Sequence, residues 1–158
     1  MCLVSNRSLI EVVKDRKKKN PNKIITCWKM VKVDTKTGDF YSPYMYTKYS
    51  KDLKGFVNAT YGEYGPKMTT SDLNDSEISL MNRFHYFEVL HGIHVFRTRK
   101  AARIYVGYNK ITSRKIVKAE CFIKDLIAVS TCNTEMVFTK VEMPVTLKEA
   151  KETKQLSR

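Results

Sequence analysis

Hydrophobic residues near the start of the chain recur at the spacing of one helix face. The string SLIE at residues 8–11 has the form of a capping box, in which a Ser begins a helix and a Glu three residues later supports its first turn. Asn20-Pro21 closes the pattern because proline cannot continue a helix. The pattern predicts a helix over about residues 8–19. Its basic last turn, Arg16 to Lys19, is a charge cap at the negative helix end, a basic arm or, if the host is eukaryotic, a nuclear signal.

Most of the remaining chain is typical of strands. Residues that favour strands dominate six segments, and turn-forming residues separate several of them. The predicted strands cover residues 23–33, 86–90, 92–96, 115–123, 125–130 and 134–143. The string FYSPYMY at residues 40–46 predicts an edge strand interrupted by Pro43, because proline cannot donate to a strand ladder.

Two further short helices are predicted. Thr98 can cap a helix over residues 99–106, where Ala102, Tyr105 and Val106 are available for packing. Residues 76–84 follow several possible caps and carry four apolar side chains, which favours a second helix.

These elements define the expected fold class. The chain has 158 residues, which fits one domain with its own core. We expect a single α+β domain over residues 1–144, built on a mostly antiparallel sheet of about six strands with two or three short helices. Residues 145–158 are polar, and we expect a frayed tail there. No run of 18 apolar residues is present, so no transmembrane helix is predicted.

Positive charge is the strongest compositional signal. Lys and Arg number 29 against 16 Asp and Glu, a formal net charge of +13. Eight of the cations fall between Leu90 and Ala119, a window that contains no Asp or Glu. A phosphate could dock at the free backbone N–H groups after Thr98, and cations of this window would surround it. The predicted anion-binding residues are Arg97, Arg99, Lys100, Arg103, Arg114 and Lys115.

Tyrosines form a second cluster. Four of them lie between positions 41 and 49, close to Lys48, Lys51 and Lys54. Aromatic rings that stack on bases, next to cations that neutralise phosphates, are typical of single-stranded nucleic-acid binding. Tyr44, Tyr46 and Tyr49 are therefore candidates for base stacking. The alternative is that they pack an irregular loop against the sheet.

The sequence marks out no catalytic or metal-binding group. His85, His91 and His94 lie within ten residues, but 91 and 94 point to opposite faces of an extended chain. No phosphate-binding loop or nucleophile motif is present. Cys27 and Cys121 lie in apolar runs, typical of reduced, buried thiols in a cytosolic protein. We predict no catalytic residue, no cofactor and no metal.

Two segments carry a resemblance to a known family. Residues 28–49 contain a strand, a Gly turn and a Ser-Pro edge, and residues 91–129 contain GIHVF, a Thr, a helix with Ala and Tyr, and a closing strand pair. Together they resemble small phage- and virus-encoded accessory proteins of unassigned activity. The resemblance implies a cytosolic accessory protein that acts on host machinery.

The second of these segments is also similar to the middle of ADP-ribosyltransferase folds. The similar features are the strand GIHVF, a polar turn, a helix with Ala102 and Tyr105, and a following strand. That resemblance implies Glu135 or Glu142 as the Glu near the ribose. It implies His94 or Tyr105 as a contact to NAD.

The sequence therefore predicts a small, basic, cytosolic binding protein, located in the host cytoplasm if it is viral. Nucleic acid or a phosphorylated nucleotide is the expected partner, and no membrane partner is expected. Two alternatives stay open. One is an inhibitor that binds an acidic host protein, and the other is an ADP-ribosyltransferase-like enzyme.

Overall fold

Three helices and eleven strands make up the described part of the chain. The computed structural model describes residues 3–43, 47–59, 86–89, 92–108, 113–154 and 156–157. The helices are α1 (Arg7–Lys19), α2 (Arg99–Tyr108) and α3 (Leu147–Glu152), with a 3-10 helix at Ile123–Asp125. The strands are β1 (Leu3–Asn6), β2 (Ile24–Val33), β3 (Phe40–Tyr41), β4 (Val57–Asn58), β5 (Tyr86–Val89), β6 (Ile93–Phe96), β7 (Arg114–Phe122), β8 (Leu126–Val129), β9 (Glu135–Phe138), β10 (Lys140–Val141) and β11 (Leu156–Ser157).

The main sheet is antiparallel at every described pairing. Its strand order is β11-β7-β2-β6-β9-β8, and β3 pairs with the end of β2. The longest ladder joins β2 to β7, from Ile24 opposite Phe122 to Lys32 opposite Arg114. β1 pairs with β5, and β10 with β4, in two small ladders. The predicted α+β class with a mostly antiparallel sheet is confirmed.

Both faces of the main sheet are covered by helices. Successive side chains of a strand point to opposite faces, so β2 contributes to two cores. Cys27 and Val31 belong to the larger core, which also takes Val13 of α1 and Ala150 of α3. Met30 belongs to a smaller core with Phe96, Ala102 and Ile116, which α2 covers. We call these two surfaces the α1 face and the α2 face.

Helix α2 connects two strands that flank β2. Since β6 and β7 both run antiparallel to β2, they are parallel to each other, and α2 crosses β2 between them. The Thr98 hydroxyl accepts a hydrogen bond from the Ala101 N–H (3.1 Å), so the predicted cap is confirmed. Trp28 of β2 lies opposite Phe96, the last residue of β6. The connection after β6 therefore lies at the end of the sheet where β2 begins.

The start of α1 differs from the capping-box prediction. The helix begins at Arg7, and its cap is Asn6, whose side-chain oxygen accepts from the Leu9 N–H (3.0 Å). The Ser8 hydroxyl donates to the same oxygen (2.8 Å) and therefore lies inside the helix. Asn6 can cap because it is the extended last residue of β1, an element that the sequence analysis did not predict.

The predicted frayed tail is wrong for residues 145–154. Thr146 caps α3 by accepting from the Glu149 N–H (3.1 Å), and Ala150 is fully buried. Val145 and Leu147 also pack against the larger core, and β11 pairs with β7 beyond the helix. These few apolar side chains dock the segment although its composition is polar. The helix predicted at 76–84 lies outside the described residues.

Candidate functional site

Cations gather at one end of the main sheet, where α1 ends, β2 begins and β6 ends. The 3-10 helix closes this end, because the Ile123 N–H donates to the Lys23 carbonyl (3.0 Å) and the Lys124 N–H to the Pro21 carbonyl (2.8 Å). We define the basic end as segments 15–23, 97–100 and 123–125. These carry nine Lys or Arg and two Asp, a formal charge of +7, which is more than half of the chain's +13.

A cavity of about 460 Å³ lies at the basic end, between α1 and the α1 face of the sheet. That volume is within the range of about 300–1,000 Å³ that holds small ligands. Four cations and one carboxylate line it, together with two uncharged polar and three apolar residues: Arg16, Lys19, Lys23, Arg97, Asp15, Asn20, Thr26, Ile25, Ile123 and Met136. The cavity is therefore a basic pocket with an apolar floor.

Arg97 is held in place at the cavity by the turn between β8 and β9. Its backbone N–H donates to the Thr134 carbonyl (2.8 Å), and its guanidinium donates to the Asn133 side-chain oxygen. Asn133 has a left-handed backbone (φ 58°), which asparagine tolerates better than most residues. A guanidinium has five N–H donors, so this contact leaves most of them for a ligand.

The remaining cavity cations have little compensating negative charge. Lys19 pairs with Asp15 (3.1 Å), but both side chains are exposed, so the pair is weak. Within the described ranges, Arg16 and Lys23 form no ion pair with a carboxylate. The C-terminus of α1 also faces this end and contributes roughly half a negative charge. Four cations and one carboxylate leave +3, so the cavity stays positive despite the helix dipole.

The structure divides the six predicted anion-binding residues among three places. Arg97 lines the cavity, whereas Arg99, Lys100 and Arg103 lie on α2, with the Arg99 guanidinium 5.8 Å from the centre of the Trp28 ring. Arg114 and Lys115 begin β7, at the opposite end of the ladder, and point to opposite faces. Arg16, Lys19 and Lys23 line the cavity although none of them was predicted as a site residue. For Arg16 and Lys19 the signal was the basic run at the end of α1, which was interpreted as a charge cap or an arm.

The described tyrosine of the predicted stacking set lies far from the basic end. Tyr49 is partly buried against the larger core, and its N–H donates to the Phe40 carbonyl (2.9 Å). Phe40 pairs with Val33, the last residue of β2, so Tyr49 lies at the other end of the sheet. Tyr44 and Tyr46 lie outside the described residues.

The residues implied by the transferase resemblance are split between two places. Three of them lie around Phe96. Glu135 is opposite Phe96 in the ladder, the buried His94 precedes Phe96 by two residues, and the Tyr105 ring packs on the Phe96 ring at 5.3 Å between centroids. Burial raises the pKa of Glu135. Glu142 is exposed, and its backbone forms an antiparallel β-bridge with the backbone of Glu120. Among the described residues, no group of three or more His, Cys, Asp or Glu side chains could hold a metal ion.

The turn that holds Arg97 also carries an exposed thiol. The Cys132 sulfur lies 3.4 Å from the Ser130 hydroxyl and 2.9 Å from the Thr134 hydroxyl. Hydrogen bonds from these hydroxyls lower the pKa of Cys132 below its ordinary value. Cys27 and Cys121 are buried, and their mutual contact and their burial raise the pKa of Cys121.

Comparisons with known proteins add no family to this description. No protein-family model, curated protein or solved structure matches the chain. Among the described helices, none combines the length and the apolar character needed to span a bilayer.

Proposed function

We propose that the protein binds nucleic acid or a phosphorylated nucleotide through its basic end. The observation that carries the proposal is the cavity, whose described lining contains the cations Arg16, Lys19, Lys23 and Arg97 against one carboxylate, Asp15. Phosphate groups are the natural counterions of such a cluster, because they accept several charge-assisted hydrogen bonds at once. Arg99 and Lys100 follow Arg97 after Thr98 and add two cations to the basic end outside the cavity.

The clustering of the cations favours a binding surface over the alternative that the positive charge serves solubility alone. A surface built for solubility intersperses charges of both signs. In the basic end, nine of the sixteen residues are cations, and they come from three segments that the fold brings together. Their mutual repulsion is a cost that the folded protein bears without a ligand, and a bound polyanion removes it.

The direct experiment is a salt titration of oligonucleotide binding. We expect binding of labelled single-stranded DNA, followed by fluorescence anisotropy, to weaken linearly on a double-logarithmic plot against salt. Neutralising about four phosphates gives a slope near −3 for a single strand. A slope near zero would contradict the proposal, and binding to acidic proteins without binding to DNA would favour the inhibitor alternative.

Matched variants test whether the basic end is the surface used. The pair Lys17→Gln and Lys18→Gln removes two cations from the basic end, while Lys36→Gln and Lys148→Gln removes two exposed cations from the far end of β2. Both pairs change the net charge equally. We expect the first pair to reduce the salt slope by about 1 to 2 and the second to leave it nearly unchanged. Equal reductions of the salt slope by the two pairs would mean that the basic end is not the binding surface.

A further inference from the structure

We infer that the cavity at the basic end holds a phosphate monoester, which is the terminal phosphate of a nucleic-acid strand or the phosphate of a free nucleotide. The inference rests on the proposed function and names the chemical group that the site selects. It follows from three properties of the cavity, which are its charge, its donors and its floor.

The charge of the cavity matches a dianion better than a monoanion. Four cations and one carboxylate give a formal +3 before the helix end is counted. An internal phosphodiester carries one negative charge, whereas a monoester carries about −1.5 to −2 near pH 7 because its second pKa is about 6. A terminal phosphate therefore neutralises more of the cavity than a phosphate within the strand.

The donors are arranged before a ligand arrives. The Thr134 carbonyl fixes the Arg97 backbone and the Asn133 side chain holds its guanidinium, so part of the rotamer freedom of Arg97 is lost before binding. The Lys23 backbone is held in the same way, because its N–H donates to the Asn20 carbonyl (3.2 Å) and its carbonyl accepts from Ile123. A guanidinium fork and an ammonium on fixed backbones suit the three oxygens of a terminal phosphate.

The floor of the cavity is apolar and packed. Ile123 and Met136 are buried, and Ile25 is partly buried against the larger core. The floor therefore offers contact area to a sugar or base attached to the phosphate.

The decisive experiment compares strand ends. Short single-stranded oligonucleotides of one sequence, carrying a 5′-phosphate, a 3′-phosphate or only hydroxyl ends, are titrated into the protein at fixed salt. We expect at least one phosphorylated end to bind about tenfold more tightly than the hydroxyl form, as one added charge-assisted hydrogen bond would produce. The preference should shrink below about pH 6, where the monoester loses its second charge.

Variants locate the preference in the cavity. Arg97→Gln and Lys23→Gln should each reduce the preference for the phosphorylated end several-fold, while Lys100→Gln, in the same basic end but outside the cavity lining, should retain it. Asn133→Gly keeps the left-handed backbone and removes the amide that holds Arg97, and should reduce the preference as well. Circular dichroism confirms that each variant is folded, and Arg97→Lys should restore part of the effect.

The possible results distinguish failure of the monoester inference from failure of the proposed function. Equal, salt-dependent binding of all oligonucleotides would overturn the monoester inference and leave the proposed function standing. Binding of neither the oligonucleotides nor a free nucleoside monophosphate would overturn both. A preference that Lys100→Gln removes and Lys23→Gln does not would also overturn it. Competition by a free nucleoside monophosphate at matching affinity would identify a free nucleotide as the source, and competition only by phosphorylated strands would identify a strand end.

Discussion

Cys132 shows how one turn controls the chemistry of a single residue. Its hydroxyl neighbours lower the pKa of the thiol, so more of it is thiolate at a given pH, whereas Cys27 and Cys121 are buried. In a Cys2→Ser background, we expect iodoacetamide to label Cys132 well before the other two. Peptide mass spectrometry after timed labelling measures the three rates. Equal labelling of Cys27 in the folded protein would contradict the burial of that thiol.

The Thr134 hydroxyl is a separable cause of this reactivity. Thr134→Val keeps the side-chain shape and removes the hydroxyl that lies closest to the sulfur. Because that hydroxyl stabilises the thiolate, its loss should raise the pKa of Cys132 and move the pH profile of alkylation to higher pH. A profile that stays in place would assign the whole effect to Ser130. Thr131→Val, in the same turn, is the control, since no described contact joins Thr131 to the thiol.

Residue types alone explain part of the candidate site. Arg97 was predicted as an anion-binding residue because it belongs to a window without acids, and the structure places it in the cavity. Lys23 could not be assigned in the same way, since nothing next to it in the sequence indicates a pocket. Asn133 acts only through its contact with Arg97, and a single sequence gives no sign of that partnership.

Helix α3 is short, and its N-cap can be tested as one of the contacts that hold it against the core. Thr146 caps it, and the Glu149 side chain accepts from the Val145 N–H (2.9 Å) just before the cap. Thr146→Ala should reduce the free energy of unfolding by about 1 kcal/mol, the usual cost of a lost N-cap, measured by urea denaturation. Thr35→Ala in the exposed turn after β2 is the control and should change it little. An unchanged value for Thr146→Ala would mean that the apolar packing of the segment and the Glu149 contact hold the helix without the cap.

Strands that lie in a string of strand-favouring residues were predictable, whereas β1, β4 and β11 were not. β2 and β7 have ten and nine residues, and the β-branched and apolar residues of their strings predicted both strands. The break before β6 was also predicted, and Gly92 there has a φ of 103° that few other residues adopt. β1 and β11 have only four and two residues. Neither segment is rich in residues that favour strands, so pairing with distant segments decides them.

The cavity is a product of strand order. Arg16 and Arg97 are distant in sequence and meet because β6 lies beside β2 while α1 packs on the same face of the sheet. Composition predicted a basic protein, but it could not predict which cations share a surface. Of the predicted set, Arg114 and Lys115 lie at the far end of the sheet because α2 separates the end of β6 from the start of β7. The residues of such a site can therefore be identified only when the strand order is known.

The concentration of charge has a consequence for the stability of the whole molecule. A formal charge of +7 at one end repels itself, and salt screens that repulsion, with a Debye length of about 8 Å at 0.15 M. We expect the Tm, measured by differential scanning calorimetry, to rise as NaCl increases from low to physiological concentration. Relieving about 1 kcal/mol of repulsion would raise the Tm by about 2–4 °C for a chain of this size.

The same charge pairs separate local repulsion from net charge. Lys17→Gln with Lys18→Gln should flatten the salt dependence of the Tm, whereas Lys36→Gln with Lys148→Gln should do so much less. Equal effects of the two pairs would mean that net charge, rather than clustering, destabilises the fold. A single-stranded oligonucleotide should also raise the Tm of the wild-type protein at low salt, by mass action and by neutralising the cluster. That increase should be smaller in Arg97→Gln and Lys23→Gln, because the repulsion that weakens the free protein is the attraction that binds the ligand.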